Sequence, residues 1–254
     1  MTAVLIHTEA GVTTLTLDRV AAKNALTGDM YAAMADALTA ASCDADQRVV
    51  LIQGHASVFT AGNDISDFMN NPPTQAGAPV HRFLEAIASF SKPLVAAVCG
   101  PAVGVGTTML LHCDLVYAGD NAMFALPFVN LGLCPEAASS LLLTQLMGHQ
   151  RAAQALMLGD PFSAEAALEV GLINSVLPPT EVNAYAQKQA KRLADKPSEA
   201  LMQTKRLMKM HQAQHVQAAM GAEGEVFKRL LTAPAAKEAF SAFLEKRKPD
   251  FSQA

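Results

Sequence analysis

The stretch from Leu94 to Thr108 constrains the fold more than any other part of this sequence. Its first six residues, Leu94 to Cys99, are apolar, and a run of that length is typical of a strand buried on both faces. Gly100-Pro101 is expected to end the strand. Gly104 and Gly106 then precede an apolar helical run. A strand, a glycine-bearing turn and a helix start bring several unpaired backbone N–H groups to one point, so we expect this turn to hold a negative charge.

Short paired strands followed by a helix recur up to about Gln150. The first pair, Val4 to His7 and Val12 to Leu17, alternates apolar and polar residues as a hairpin does. The cadence predicts an α/β fold, although no clean sequence repeat accompanies it. The predicted strand pairs and their helices lie at 4–17 and 27–42, 49–54 and 64–68, 94–99 and 107–112, and 115–125 and 138–147.

The sequence after Gln150 is mostly helical. Pro161-Phe-Ser163 is predicted to cap one helix, and Thr180 the next. The last two helices carry more apolar side chains than a chain end needs, so they either fold back on the core or pack on another subunit. Long helices are expected at 181–194, 198–210, 214–231 and 235–246.

The composition excludes several classes of protein. With 51% hydrophobic and 17% charged residues, a chain of 254 residues can bury a large core. A net charge of −4 argues against a nucleic-acid surface. No apolar run approaches the ~20 residues of a membrane span, and the N-terminus shows no signal-peptide pattern. The four cysteines lack metal-ligand spacing, so we expect reduced core thiols, no metal and a cytoplasmic protein.

Several local patterns have a plainer explanation than a site. Gly104-Val105-Gly106 resembles the start of a dinucleotide-binding fingerprint, but Met109 stands where the third glycine belongs. His211 and His215 are four residues apart on a helix, and a solvated helix face is the better interpretation than a metal site. Ser139-Ser140 has no evident histidine and acid partner, so both serines are read as helix-start residues.

Two glycine turns carry the first strong candidate site. Ala61-Gly62-Asn63 and Gly104-Val105-Gly106 each follow a buried strand. If those strands are neighbours in a sheet, the N–H groups of Asn63 and Val105 point to one place. Two converging backbone donors form an oxyanion hole, which stabilises an oxygen that becomes negative during a reaction. The alternative is that both are ordinary tight turns.

Glu136 is the second candidate. It follows Leu133, Cys134 and Pro135 and precedes an alanine pair, so its carboxylate has apolar neighbours in the sequence. Desolvation there would raise its pKa toward that of a useful general base. The alternative is a first-turn glutamate that complements the helix dipole, and spacing alone does not separate the two.

Several segments resemble the crotonase (enoyl-CoA hydratase/isomerase) superfamily. The resemblance spans essentially the whole chain. It implies a spiral of strand–strand–helix turns at 1–197 and a helical oligomerisation region at 198–254, which forms trimers that often pair into hexamers. The segments that carry the resemblance are 49–65, 92–106 and 113–119, with 18–26 and 243–249 at the two ends.

The same resemblance implies an acyl-CoA thioester as ligand, with coenzyme A as part of the substrate and no permanently bound cofactor. The thioester oxygen would lie between the N–H groups of Asn63 and Val105. Lys246 corresponds to a region that approaches the CoA phosphate from a neighbouring subunit. The other residues at CoA- or substrate-binding positions are Lys23, Ala25, Ala61, Gly62, Asp64, Ile65, Gly104, Leu126 and Phe128.

Departures from the family pattern indicate the reaction. A typical hydratase of the family uses two glutamates, and Thr108 and Phe128 stand at those positions here. Each such group is typically worth ~10²–10⁴ in rate, which argues against hydration. The segment 131–140 instead resembles the Pro-Glu-Gly-Cys-Ser-Ser stretch of peroxisomal-type Δ3,Δ2-enoyl-CoA isomerases, in which the glutamate at the position of Glu136 is the catalytic base. Ala137-Ala138 replaces the Gly-Cys pair, a mild departure.

The resemblance therefore implies an isomerase that moves a double bond from C3 to C2 of an acyl-CoA. A non-catalytic acyl-CoA-binding member and a thioester hydrolase remain as alternatives. Phe68, Phe83 and Phe90 could line an acyl pocket, although a place in the core is the better interpretation for each.

Overall fold

Nine strands and eleven α-helices lie in residues 3–73, 75 and 77–253, the part of the chain that the computed structural model describes. The strands are β1 (Val4–Glu9), β2 (Val12–Leu17), β3 (Val49–Gln53), β4 (Leu94–Val98), β5 (Pro101–Val103), β6 (Leu115–Gly119), β7 (Met123–Ala125), β8 (Phe162–Ser163) and β9 (Ser175–Leu177). The helices are α1 (Gly28–Cys43), α2 (Ile65–Asn70), α3 (Pro79–Ser89), α4 (Val105–Thr108), α5 (Ser139–Met147), α6 (His149–Ala153), α7 (Ala164–Glu169), α8 (Pro179–Ala194), α9 (Ser198–Lys209), α10 (Ala213–Leu231) and α11 (Pro234–Leu244). Short 3₁₀ segments follow α4 at Met109–His112 and precede Gly132 at Val129–Leu131.

A six-stranded sheet forms the centre of the fold, with strand order β1-β2-β3-β4-β6-β9. Only the β1–β2 hairpin is antiparallel. Parallel strands are covered by helices on both faces, which explains why β3 and β4 read as continuous apolar runs. Val50 and Ile52 pack in the cluster that contains α1 and α3, whereas Val49 and Leu51 pack against α8.

A second, three-stranded sheet contains β5, β7 and β8. The prediction that Gly100-Pro101 ends the strand stretch is wrong, because the chain turns at Gly100, where φ is +65°, and continues as β5 from Pro101. Proline is tolerated there because it is the first residue of an edge strand. Each turn of the chain thus places one strand in each sheet before a helix, and the predicted α/β spiral of strand–strand–helix turns is confirmed.

The helix caps follow the predictions in two cases out of three. Thr27 accepts a hydrogen bond from Met30 N at 3.4 Å and begins α1, and Ser163 caps α7 in the same way. The cap predicted at Thr180 is wrong, because α8 begins at Pro179. Proline fits the first helical position since its fixed φ suits the helix and no N–H is needed there.

The C-terminal helices fold back on the core and still expose apolar side chains. α10 packs against α5, and α11 packs against the 3₁₀ segment at Val129–Leu131. The exposed apolar residues include Leu207, Met208, Val226, Phe243 and Leu244. No helix in the described part of the chain is long and apolar enough to cross a membrane.

The cysteines are free in the described residues, as predicted, but one of them is not in the core. Cys99 is buried, Cys113 and Cys134 are partly buried, and Cys43 is exposed. Cys43 is the last residue of α1, where the amphipathic helix turns away from the sheet. Residues 3–73, 75 and 77–253 contain no cluster of His, Cys, Asp and Glu that could hold a metal ion.

Candidate active site

The two glycine turns lie side by side. β3 and β4 are adjacent parallel strands, so the segments that follow them emerge at the same end of the sheet. A single bridge pairs Thr60 with Ala102 beyond the two strands. Gly62 has φ +87°, and a Cβ there would lie 2.8 Å from the carbonyl oxygen of Val103. Only glycine allows the two turns this close approach.

The two predicted oxyanion donors have free N–H groups. Within the described residues, neither the N–H of Asn63 nor that of Val105 has a hydrogen-bond acceptor. Val105 is the first residue of α4, where backbone N–H groups have no partner inside the helix. Gly104 before it has φ +57° and ψ −118°, a conformation that is essentially restricted to glycine. The turn is therefore built to present an N–H to a ligand, as an oxyanion hole requires.

Tyr31 connects the first turn to the rest of the site. Its hydroxyl donates to Asn63 Oδ1 at 2.5 Å, and the ring is almost fully buried. Burial, and then the charge of Glu136, raise the pKa of Tyr31 well above its usual value. Tyr31 therefore stays protonated, holds the side chain of Asn63 and lies within the electrostatic range of Glu136.

Glu136 is a buried carboxyl with an unused oxygen. Its side chain is 8% exposed. Burial, followed by the negative charge of Glu223, raises its pKa from 4.5 to about 7. The Thr108 hydroxyl lies close enough to lower this pKa, but Thr108 Oγ1 and Glu136 Oε1 both lack a hydrogen-bond partner among the described residues. Thr108 is on α4, one helical turn after Val105, which places the carboxyl near the second donor turn.

Glu136 does not serve the helix dipole of α5. The helix begins at Ser139, with Ala138 at its N-cap, so Glu136 lies before the first turn. The carboxylate of Glu223 on α10 occupies that role instead, because it accepts hydrogen bonds from Ala138 N at 2.6 Å and Ser140 N at 2.9 Å. The structure therefore favours the interpretation of Glu136 as a base over the dipole alternative.

The replacement of Gly-Cys by Ala137-Ala138 is less mild than predicted. Ala137 has φ +59° and Ala138 has φ +57°, both in the left-handed region. Residues with a Cβ pay about 1–2 kcal/mol each for this conformation. The backbone that follows Glu136 is thus strained, and its surroundings must hold it.

A cavity of about 740 Å³ reaches Glu136 from the side of α3 and α10. Its walls are mostly apolar, and Phe68 is among them, whereas Phe83 and Phe90 are buried elsewhere in the core. Asn63 and Val105 do not line this cavity. Apolar side chains on its walls include Val80, Leu84, Leu111, Met220 and Phe227.

The residues predicted for the CoA groove come together at one place. Ala61 N donates to Lys23 O at 2.9 Å, and the segment 23–26 runs beside 61–64. Lys23 is exposed, while Ala25 and Ile65 are partly buried. The Asp64 carboxylate is already engaged, because it pairs with Arg19 at 2.7 Å and caps α2.

The remaining predicted residues lie apart from the two turns. Leu126 and Phe128 are buried in a cluster with Phe68 and Phe240, behind the cavity wall. Lys246 follows α11, is exposed and makes no side-chain hydrogen bond or ion pair within the described chain.

Three residues of the site escaped the sequence reasoning. Tyr31 lies on α1, His112 follows α4, and Glu223 lies on α10. No local pattern singles them out, because each acts through a contact with a segment distant in sequence. The one available signal is that all three are polar residues within otherwise apolar helical faces.

The profile of the family described as Enoyl-CoA hydratase/isomerase matches residues 7–254. The chain belongs to this family, the crotonase superfamily. Among curated members, 2,3-dehydroadipyl-CoA hydratase of Escherichia coli is 33% identical over 252 residues, which are 99% of both chains. Enoyl-CoA delta isomerase 2 of Rattus norvegicus is 33% identical over 85% of this chain and 56% of its own length. The structure of Pseudomonas aeruginosa OdaA matches with a TM-score of 0.94 and 47% identity, over 96% of this chain and 99% of that one.

Both hydratases and isomerases thus occur among the crotonase relatives. Family membership fixes the fold and the class of enzyme. The reaction has to be argued from the residues of this chain.

Proposed function

We propose that this crotonase is a Δ3,Δ2-enoyl-CoA isomerase with Glu136 as its single acid–base residue. The observation that carries the proposal is the buried carboxyl of Glu136, with a pKa near 7 and an oxygen that has no partner among the described residues. A base with such a pKa is partly ionised at neutral pH and is strong enough to take a proton next to a carbonyl. Unpaired buried polar atoms are costly, and they occur where a ligand supplies what the protein does not.

No other carboxylate in the cavity is placed to act as a second base. The carboxylates on its walls are Glu85, Glu136 and Glu223. Glu85 is exposed, and both oxygens of Glu223 accept hydrogen bonds from the start of α5. One base is enough for an isomerase, because the proton that leaves one carbon returns to another on the same face of the substrate.

The steps follow from this arrangement. The Glu136 carboxylate removes a proton from C2 of a 3-enoyl-CoA, and the electron pair of that C–H bond moves to the thioester oxygen. The N–H groups of Asn63 and Val105 stabilise the resulting dienolate. Protonated Glu136 then donates to C4, and the electrons return from oxygen to form the C2–C3 double bond. One such backbone donor is typically worth about 2.7–4 kcal/mol in the transition state.

The positions of the two family glutamates support isomerisation over hydration. Thr108 is fully buried beside Glu136, and Phe128 is buried in the cluster behind the cavity wall. Neither side chain can place and split a water molecule as a carboxylate pair does.

The proposal includes the binding mode and the assembly. The groove formed by 23–26 and 61–64 would hold the CoA moiety, and the apolar cavity would hold the acyl chain. The exposed apolar residues of α9 to α11 support a homotrimer or a dimer of trimers, in which Lys246 of a neighbouring copy would approach the CoA phosphate.

The test is incubation of the purified chain with a 3-cis- or 3-trans-enoyl-CoA. Conjugation of the double bond with the thioester is expected to raise the ultraviolet absorbance. The Glu136→Gln variant should bind substrate and lose ~10²–10⁴ of the turnover. Glu225→Gln, an exposed carboxylate on α10, is the matched control and should retain it. Near-normal turnover of Glu136→Gln would rule out the proposed base.

The same assay separates the alternatives. Hydration, which the curated hydratase relatives make the second candidate, would instead lower the absorbance of a 2-enoyl-CoA. Thioester hydrolysis would release free CoA, which a thiol reagent detects. Tight binding without any spectral change would indicate a non-catalytic acyl-CoA-binding protein.

A further inference from the structure

The turn that carries Glu136 needs an external hold. Ala137 and Ala138 are both left-handed, and each would relax to an ordinary conformation if the surroundings allowed it. Such strain persists only where neighbouring groups over-determine the backbone. Two buried polar side chains supply that hold, from two different elements.

Glu223 supplies the larger part. It lies on α10, is itself only 8% exposed, and reaches across to the start of α5. Its Oε2 accepts from Ala138 N at 2.6 Å, and its Oε1 accepts from Ser140 N at 2.9 Å and Ser140 Oγ at 2.5 Å. Three charge-assisted hydrogen bonds to one short segment fix both the position and the direction of the turn.

His112 supplies the other part. Its Nε2 donates to the carbonyl oxygen of Ala137 at 2.8 Å, and the ring is 3% exposed. Burial lowers the pKa of His112 to about 4, so the ring is neutral at pH 7. Because a carbonyl can only accept, Nε2 carries the hydrogen. The turn is thus held at Ala137 from one side and at Ala138 and Ser140 from the other.

We propose that Glu223 is a positioning residue for the reaction, which anchors the strained turn after Glu136 and places a second negative charge beside it. This inference rests on the proposed function for its catalytic consequence. Glu223 touches neither the reacting atoms nor the two oxyanion donors, and it acts through Glu136.

The charge of Glu223 has a separate effect from its hydrogen bonds. After burial, it is the second cause that raises the pKa of Glu136. Burial also raises the pKa of Glu223, while its hydrogen bonds from Ser140 and Ala138 oppose that rise. The other titratable or charged groups that face Glu136 or its turn are Tyr31 from α1, His112 from the segment after α4, Cys134 from the preceding loop, and Lys209 from α9, which donates to His112 O.

The experiment titrates the Glu136 carboxyl directly, so that it does not depend on turnover. The carboxyl band of Glu136 is identified by infrared difference between the intact chain and Glu136→Gln. In Glu223→Gln its midpoint is expected to move down by about one pH unit, because a like charge has been removed. The exposed carboxylate variant Glu225→Gln is the control and should leave the midpoint where it was. An unmoved midpoint in Glu223→Gln would overturn the proposal.

Turnover gives the second readout. In Glu223→Gln, kcat should fall ~10- to 100-fold with little change in KM, because a loosened turn misdirects the base without touching the substrate. The acidic limb of the pH–rate profile should move down with the infrared midpoint. A loss of stability alone, with the limb and the kcat of the folded fraction unchanged, would show a merely structural role and contradict the proposal.

A second variant covers the case in which Glu223→Gln does not fold. Glycine takes the left-handed conformation without strain, so Glu223→Gln combined with Ala137→Gly should restore folding and still show the lowered midpoint. If the midpoint shifts but the intact chain has no isomerase activity, the proposed function fails while the coupling of the two carboxyls stands.

Discussion

Removal of the Glu136 carboxyl should stabilise the protein above neutral pH. In the folded chain the pKa of Glu136 is raised from 4.5 to about 7. Between these values the folded state binds a proton that the unfolded state has released. Stability therefore falls as pH rises through this window and stays lower above it.

The size of the effect follows from the shift in pKa. Each unit corresponds to about 1.4 kcal/mol, so the intact chain should lose about 3 kcal/mol between pH 4.5 and pH 7. Glutamine is neutral at every pH and has nearly the shape of the protonated acid. The free energy of unfolding of Glu136→Gln, relative to the intact chain, should thus rise by about 3 kcal/mol across the window. Any fixed cost of burying the amide adds the same amount at each pH and does not alter this difference.

Urea unfolding from about pH 5 to about pH 8.5, at one protein concentration, measures this difference. Glu225→Gln, on the exposed face of α10, is the control for the loss of a surface carboxylate. Curves for Glu136→Gln and the intact chain that run parallel across the whole range would refute the reasoning, since Glu136 would then titrate alike in both states. A rise in stability with a loss of turnover would identify Glu136 as a group kept for function at a cost in stability.

Two further substitutions test the oxyanion turns. Gly62→Ala should cost at least ~2 kcal/mol more stability than Gly148→Ala, by urea unfolding, since both glycines have positive φ but only the Cβ at Gly62 would meet a neighbour, Val103 O at 2.8 Å. Equal losses would show that the close approach of the turns is not what requires glycine. Tyr31→Phe should lower kcat ~10-fold with KM nearly unchanged in steady-state assays, because Asn63 loses the hydrogen bond that holds its side chain; an unchanged kcat would remove Tyr31 from the positioning network.

The fold was largely predictable because its signals are local. Apolar runs such as 49–53 and 94–98 are recognisable as buried strands without any partner, and the helices at 28–43 and 179–194 follow from periodicity. The short strand β5 was missed because the Gly-Pro pair reads as a stop. It becomes a strand only through its pairing with β7.

The candidate site was only partly predictable. The two turns and Glu136 carry local signals, namely glycine after a strand and a carboxylate in apolar company. That β3 and β4 are neighbours, which the oxyanion hypothesis needed, is a property of the sheet. The roles in CoA binding and catalysis assigned to the site residues stay predictions.

The sequence by itself determined which segments become strands and helices and which residues could donate or accept a proton, because those properties depend on short stretches of chain. Tertiary structure alone decided that Tyr31, His112 and Glu223 surround Glu136 and its turn, although they come from α1, the end of α4 and α10. It also decided that Glu136 is buried with a raised pKa, since desolvation and a neighbouring charge arise only when distant segments pack together.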